Sequence, residues 1–222
     1  MRILVTGFEP FGSHASNPSQ EIVTALAARA SAAVGRPFQL HTTVLPTEYD
    51  RAASRITLLI AELSPDAIVC LGVAGKADGI CLERIALNLN DAELADNAGE
   101  IRTAQPIIPG APMAYLSTLP LAAMLQELRG ARFPTSISNH AGTYVCNHVF
   151  YTARHTIEQK RATTPCGFIH VPVIDYGKGL GVASQLGELA HDLLERTVAL
   201  GYGDRYHTSV VKVIESDSPA DG

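Results

Sequence analysis

The chain has 222 residues, 46% of them hydrophobic, and a formal net charge of −5. At that length a single domain buries roughly 70% of its unfolded surface, so one core suffices. Its arginines are scattered rather than striped, which argues against a phosphate-backbone partner such as nucleic acid, and no run approaches the ~18 apolar residues of a membrane span.

In chain order, Met1-Arg2-Ile3-Leu4-Val5-Thr6-Gly7 has too short an apolar run for a signal peptide and reads as a first strand over 2–6. A helix is expected over 18–33, with Asn17 as N-cap and Pro18 at the first helical position, where its missing amide proton costs nothing. A strand over 38–45, a helix over 48–63 bounded by Pro65, and strands over 66–72 and 80–89 follow. Between Asn90 and Met113 the chain carries Pro106, Pro109 and Pro112 with little periodicity, the mark of a long loop: a lid, a subunit contact or plain surface. A helix over 117–129, a strand over 135–139, a helix over 145–159, a strand over 167–173 and a helix over 181–200 complete the series. Gly177-Lys178-Gly179-Leu180-Gly181 lacks Walker spacing and reads as a flexible approach to the last helix. The polar tail 215–222 is expected to be disordered, leaving 1–214 as a single domain without repeats. Strands alternating with helices predict an α/β architecture, an open, mixed, mostly parallel twisted sheet with helices on both faces.

The most informative residue is Cys146, in Ala141-Gly142-Thr143-Tyr144-Val145-Cys146-Asn147, where a strand turns into a helix. A thiol is a nucleophile only as thiolate, and an ordinary cysteine, with pKa about 8.5, is mostly protonated near neutrality. The first turn of a helix favours negative charge by roughly 0.3 to 2 kcal/mol, so a fully formed thiolate also requires an imidazolium, oriented by a carboxylate on its other nitrogen. His170, inside the apolar run Gly167-Phe168-Ile169-His170-Val171-Pro172, and Glu83, in Leu82-Glu83-Arg84, supply those groups. Each has a plainer reading, as a core cysteine, a satisfied core histidine or one end of an ion pair, and only the combination points to catalysis. Cys70, Cys81 and Cys166 lie in strand-like runs and default to the core. The cysteines show no Cys-x-x-Cys spacing, so a reducing compartment, the cytoplasm, is expected. Zinc is a poor fit, because Cys146 and His148 point roughly 200° apart on a helix. His148 reads as a surface or packing residue and His140 as a solvated loop histidine.

These residues resemble a known family, the type I pyroglutamyl peptidases or pyrrolidone carboxyl peptidases, which are cysteine peptidases. The resemblance runs through Thr6-Gly7-Phe8-Glu9-Pro10-Phe11-Gly12, Asn17-Pro18-Ser19, the stretch from Gly72 to Asn88, Asp91-Ala92, Asp96-Asn97-Ala98-Gly99, the Cys146 turn and Phe168-Ile169-His170-Val171-Pro172. It implies a phosphorylase/hydrolase-like fold, a catalytic triad at Glu83, Cys146 and His170, and an apolar pocket for the pyroglutamyl ring drawing on Phe8, Phe11, Leu94, Tyr144 and Val145, with Asn17 beside the ring. It also implies peptide substrates with N-terminal pyroglutamate, a thioester acyl-enzyme, no cofactor or metal, and a homotetramer.

Two positions depart from the family pattern. Gly72-Val73-Ala74-Gly75 stands where Gly-Gln-Ala-Gly is usual, so Val73 replaces a glutamine thought to work with Asn17. One lost hydrogen bond to a buried polar group costs roughly 1 to 3 kcal/mol, and a weakened pyroglutamyl preference is expected. Asp91-Ala92-Glu93 carries glutamate where an arginine is expected, which requires Glu93 to face solvent and backbone amides near Cys146 to hold the oxyanion. Two other readings stay open, a cysteine hydrolase of another small neutral acyl amide and a nucleoside phosphorylase-like transferase.

Overall fold

The computed structural model describes residues 1–12, 14–32 and 38–173. The first strand, β1 (Arg2–Phe8), has its last six residues buried, as a strand covered on both faces requires. The helix α1 (Pro18–Ala32) starts where the sequence places it, with Asn17 Oδ1 accepting from the Ser19 amide at 3.0 Å. β2 (Gln39–Leu45) and α2 (Tyr49–Leu63) follow. α2 buries Tyr49, Ala52, Ile56, Leu59 and Ile60, a one-faced spacing, and ends on left-handed Ser64 before Pro65. β3 (Ala67–Ala74), β4 (Ile80–Leu87), β5 (Ala114–Leu116), α3 (Leu121–Gly130), β6 (Thr135–His140), α4 (Val145–Gln159) and β7 (Cys166–Pro172) complete the described elements.

The strand order is β2-β1-β3-β7-β4-β5, with β6 on β4. β2, β1, β3 and β7 run parallel, and β4 runs antiparallel to β7 and β5 but parallel to β6. This is the mixed, mostly parallel sheet expected from the alternation of elements. Phe8, Cys70, Phe168 and Cys166 pack with Tyr49, Ile56, Val149 and Phe150 on the face covered by α2 and α4. Ile3, Val5, Leu71 and Val171 pack with Ile22, Leu26, Met124 and Leu128 on the face covered by α1 and α3.

β1 runs on to Phe8 and β3 to Ala74, two residues past the sequence reading, and three further differences have a cause in distant partners. β5 was not expected, because its three residues carry no readable period; pairing with Ile85–Leu87 creates it. The third helix starts at Leu121 rather than 117, since the amides of Ser117 and Thr118 donate to Arg84 and Cys166 carbonyls and carry the chain along the sheet before Pro120. β4 ends at Leu87 rather than 89. There Asn147 of α4 takes the Leu87 amide on Oδ1 and donates from Nδ2 to the Leu87 and Leu89 carbonyls, at 2.9 to 3.0 Å, filling the positions of a further strand partner.

The long loop is tied down along much of its length. Asp96, buried, accepts from the Tyr49 amide at the head of α2 and from the amides of Ala98 and Glu100, each at 2.9 Å, so it caps a helix whose own N-cap, Glu48, makes no side-chain cap bond. Asn88 closes the far end through Ile108 and Ala111. Among the described residues no helix is long and apolar enough to cross a membrane. The expected helix over 181–200, the glycines of 177–181 and the tail 215–222 lie outside the described residues.

Because Asn147 is fully buried and satisfies three backbone groups, Asn147→Ala should lose about 2 to 4 kcal/mol of stability. An unchanged urea midpoint would contradict this.

Candidate active site

The parallel strands β1, β3 and β7 end at the same edge of the sheet, the usual place for a site in an open α/β fold. His170 is the fifth residue of β7 and lies beside Gly72 of β3 on one side and Cys81 of β4 on the other. The antiparallel course of β4 brings Glu83, two residues further on, within reach of the same ring. Glu83 Oε1 lies 2.7 Å from His170 Nδ1, with side-chain exposures of 3% and 9%.

Cys146 is the second residue of α4. The first helical bond of α4 runs from the His148 amide to the Tyr144 carbonyl, so the amides of Val145, Cys146 and Asn147 precede it and carry the positive end of the helix dipole. Gly142 adopts a left-handed φ of 75° in the turn that leads there, a conformation costly for any side chain. The sulfur rests on β3 at Gly72, where a Cβ would stand 2.8 Å from both Cys146 Sγ and Phe168 Cζ.

Burial by itself would lower the pKa of His170, but the interactions with the Cys146 sulfur and the Glu83 carboxylate outweigh it and push the imidazole up to about 10. The other cysteines are chemically distinct. Burial drives the Cys70 thiol up to about 12 and also raises Cys166. Cys81 is half-exposed, its sulfur 3.8 Å from Ser136 Oγ, which corrects its expected place in the core. A half-buried sulfur against a protonated imidazole at a helix head is an arrangement for nucleophilic attack on an acyl carbon.

The family model described as pyroglutamyl peptidase matches residues 1–180. The chain belongs to the pyroglutamyl peptidase family. Among its relatives, the pyrrolidone-carboxylate peptidase of Thermococcus kodakarensis is 43% identical over 172 residues, 78% of this chain and 81% of the relative, and that of Deinococcus radiodurans is 43% identical over 173 residues, 77% of each. The structure of pyrrolidone carboxyl peptidase from Pyrococcus furiosus superposes with a TM-score of 0.78 at 35% identity, covering 91% of this chain and all of that one. The pyroglutamyl peptidase I of Bacillus amyloliquefaciens gives 0.77 at 33%, covering 86% and 91%.

The residues expected around the ring of this peptidase family are placed unequally. Phe11 and Tyr144 meet at 6.1 Å between ring centroids, and the Tyr144 hydroxyl donates to the Ala95 carbonyl beside Leu94. Leu94 is 50% exposed, and Val73 is half-buried. Phe8 and Val145 are core residues, Phe8 packing on Phe168. Asn17 is buried, with Oδ1 accepting from both the Ser19 amide and hydroxyl and Nδ2 donating to the Glu9 carbonyl. Glu93 is exposed, as its position requires.

His148 is a packing residue and not a surface one. It is 4% exposed, faces Asn90 Oδ1 at 3.0 Å and packs edge-on to Tyr49, and burial, reinforced by the nearby Arg102 charge, lowers its pKa to about 4. His140 is exposed at the end of β6 and accepts from the Gly142 amide. Sequence reasoning passed over Gly72, Asn147 and Asp96 as individual functional residues. The readable signal for Gly72 was a glycine near the end of an apolar strand; the other two stand inside family motifs, but the bonds that fasten the fold through them reach Tyr49 and Leu87, 47 and 60 residues away.

Gly72→Ala places a methyl against the sulfur and the Phe168 ring. The variant should fold with a cost of about 1 to 3 kcal/mol and show slower alkylation of Cys146 at neutral pH; an unchanged alkylation rate would mean that the sulfur does not depend on that gap.

Proposed function

We propose that this protein is a cysteine peptidase that removes an N-terminal pyroglutamyl residue from peptides, with Cys146 as nucleophile, His170 as acid and base, and Glu83 holding the imidazole. The observation that carries the reading is the buried 2.7 Å contact between Glu83 and His170, with Cys146 raising the pKa of the same ring. The Cys146 thiolate attacks the carbonyl carbon joining pyroglutamate to the next residue. The oxyanion formed is stabilised by the amides that open α4, preorganised donors at the place where charge develops. As the C–N bond breaks, His170 donates its proton to the departing amine, leaving a thioester. Neutral His170 then takes a proton from water, whose oxygen attacks the thioester carbon and releases pyroglutamate and the thiolate.

Selection of the lactam follows from the apolar character of the residues around it. Phe11, Tyr144 and Leu94 supply apolar surface for a neutral ring, with Phe8 and Val145 behind them. A free, charged N-terminus would have to be desolvated against that apolar surface. Asn17 acts on the pocket by holding the turn between Phe8 and Phe11, through its bond to the Glu9 carbonyl. Val73 offers no hydrogen bond to the ring where the family usually has glutamine. The reading extends to a single domain over 1–214 and a cytoplasmic homo-oligomer, a tetramer by resemblance.

Cys146→Ser should fold like the parent and lose hydrolysis of a pyroglutamyl amide, and equal turnover would end the proposal. Iodoacetamide should alkylate Cys146 at a substantial rate below pH 7, because a histidine with its pKa near 10 is fully protonated there; the same rate should fall in His170→Ala. Val73→Gln should raise kcat/KM for the pyroglutamyl amide by about tenfold. No gain would mean that another group already makes the contact.

A further inference from the structure

Glu83 is 2% exposed and uses only one carboxylate oxygen. Oε1 meets His170, while no described group donates to the buried Oε2. A buried carboxylate oxygen without a donor costs roughly as much as a broken hydrogen bond, so a donor is expected among its neighbours on that face of the sheet.

Alternation along the strands defines that face. Leu82 of β4, Ile137 of β6 and Ile169 of β7 pack on the α1/α3 side, whereas Phe168 packs on the α2/α4 side. Glu83 and its register partners Phe168 and Ser138 therefore share the α2/α4 side. Phe168 has nothing to donate. Cys81, two residues back along β4, faces Ser136 at 3.8 Å, and His140 is exposed at the end of β6, opposite Ile85 rather than Glu83. Ser138 remains, directly across from Glu83 and half-buried, its hydroxyl donating to the His140 carbonyl at 3.2 Å, a long bond for an O–H donor.

We propose that Ser138 is a positioning residue whose hydroxyl turns about χ1 to donate to Glu83 Oε2, holding the carboxylate charged and aimed at His170. The assignment rests on Glu83 and His170 working as a pair in the reaction proposed above. Such a bond belongs to the charge-assisted class, about twice as strong as a neutral one.

The test is Ser138→Ala beside Ser138→Thr, which keeps the hydroxyl. In Ser138→Ala, kcat/KM for a pyroglutamyl amide should fall about tenfold or more with KM little changed. Because a carboxylate that loses a donor protonates at higher pH, the acid limb of the kcat/KM profile and the pH profile of iodoacetamide alkylation should both move upward. Ser138→Thr should restore the parent values. If both profiles stay in place in Ser138→Ala, or if the two variants lose activity alike, the assignment is overturned. If the parent protein fails to cleave the pyroglutamyl amide while the alkylation profile still shifts in Ser138→Ala, the substrate reading falls and Ser138 keeps its role.

Discussion

A carboxylate and an imidazole held 2.7 Å apart inside the protein constrain much of what surrounds them. Neither group can be charged in the interior alone, since removing either partner leaves an uncompensated buried charge. The pair exists because β4 runs against β7 in a sheet whose other central strands are parallel. Pairing sets His170 opposite Cys81 and Glu83 opposite Phe168, so the glutamate reaches diagonally across two residues. A one-residue slip of either strand would turn its side chain to the α1/α3 face, where Leu82 and Ile169 pack.

The sulfur reaches the pair from the third direction. α4 lies on the same face of the sheet and is fastened at its first turn by Asn147, whose amide group clasps the end of β4. The strand that carries the carboxylate is thereby bonded to the helix that carries the thiol. Beneath the sulfur, β3 gives way at Gly72, with Phe168 against the same gap. The position of Cys146 is thus set by a helix terminus, a side-chain clasp and a missing Cβ, three independent constraints on one atom.

Beside the turn that leads into α4 the long loop behaves as a strap. Asp96 caps α2 from a distance, Asn97 binds Glu9 and the Pro10 carbonyl, and Arg102 joins Asp50 and Glu100 while lying over the Tyr49 ring. Through Tyr144 and Ala95 this strap touches the turn that leads to Cys146. The bonds between exposed charged groups contribute little individually. The bonds of Asp96 contribute more, because one satisfies the Tyr49 amide at the head of α2 and two satisfy amides of the loop itself.

The alternation of strands and helices, the start of α1 at Asn17 and Pro18, the end of α2 before Pro65 and the candidacy of Cys146, His170 and Glu83 were legible in the chain, because each rests on local periodicity or on side-chain chemistry. The family motifs, long and ordered, also named the residues expected around the ring, of which Phe11 and Tyr144 meet while Phe8 and Val145 lie in the core. Four features were not legible: β5, the late start of α3, the early end of β4 and the inward turn of His148. Each arises from a partner distant in sequence, such as Ile85–Leu87 for β5 or Asn90 for His148. By itself the sequence determined which groups could do chemistry and which segments would be strands or helices, since period and residue type are local. Only the tertiary structure decided which oxygen of Glu83 meets His170 and what supports the sulfur, because register and packing between distant segments set those distances.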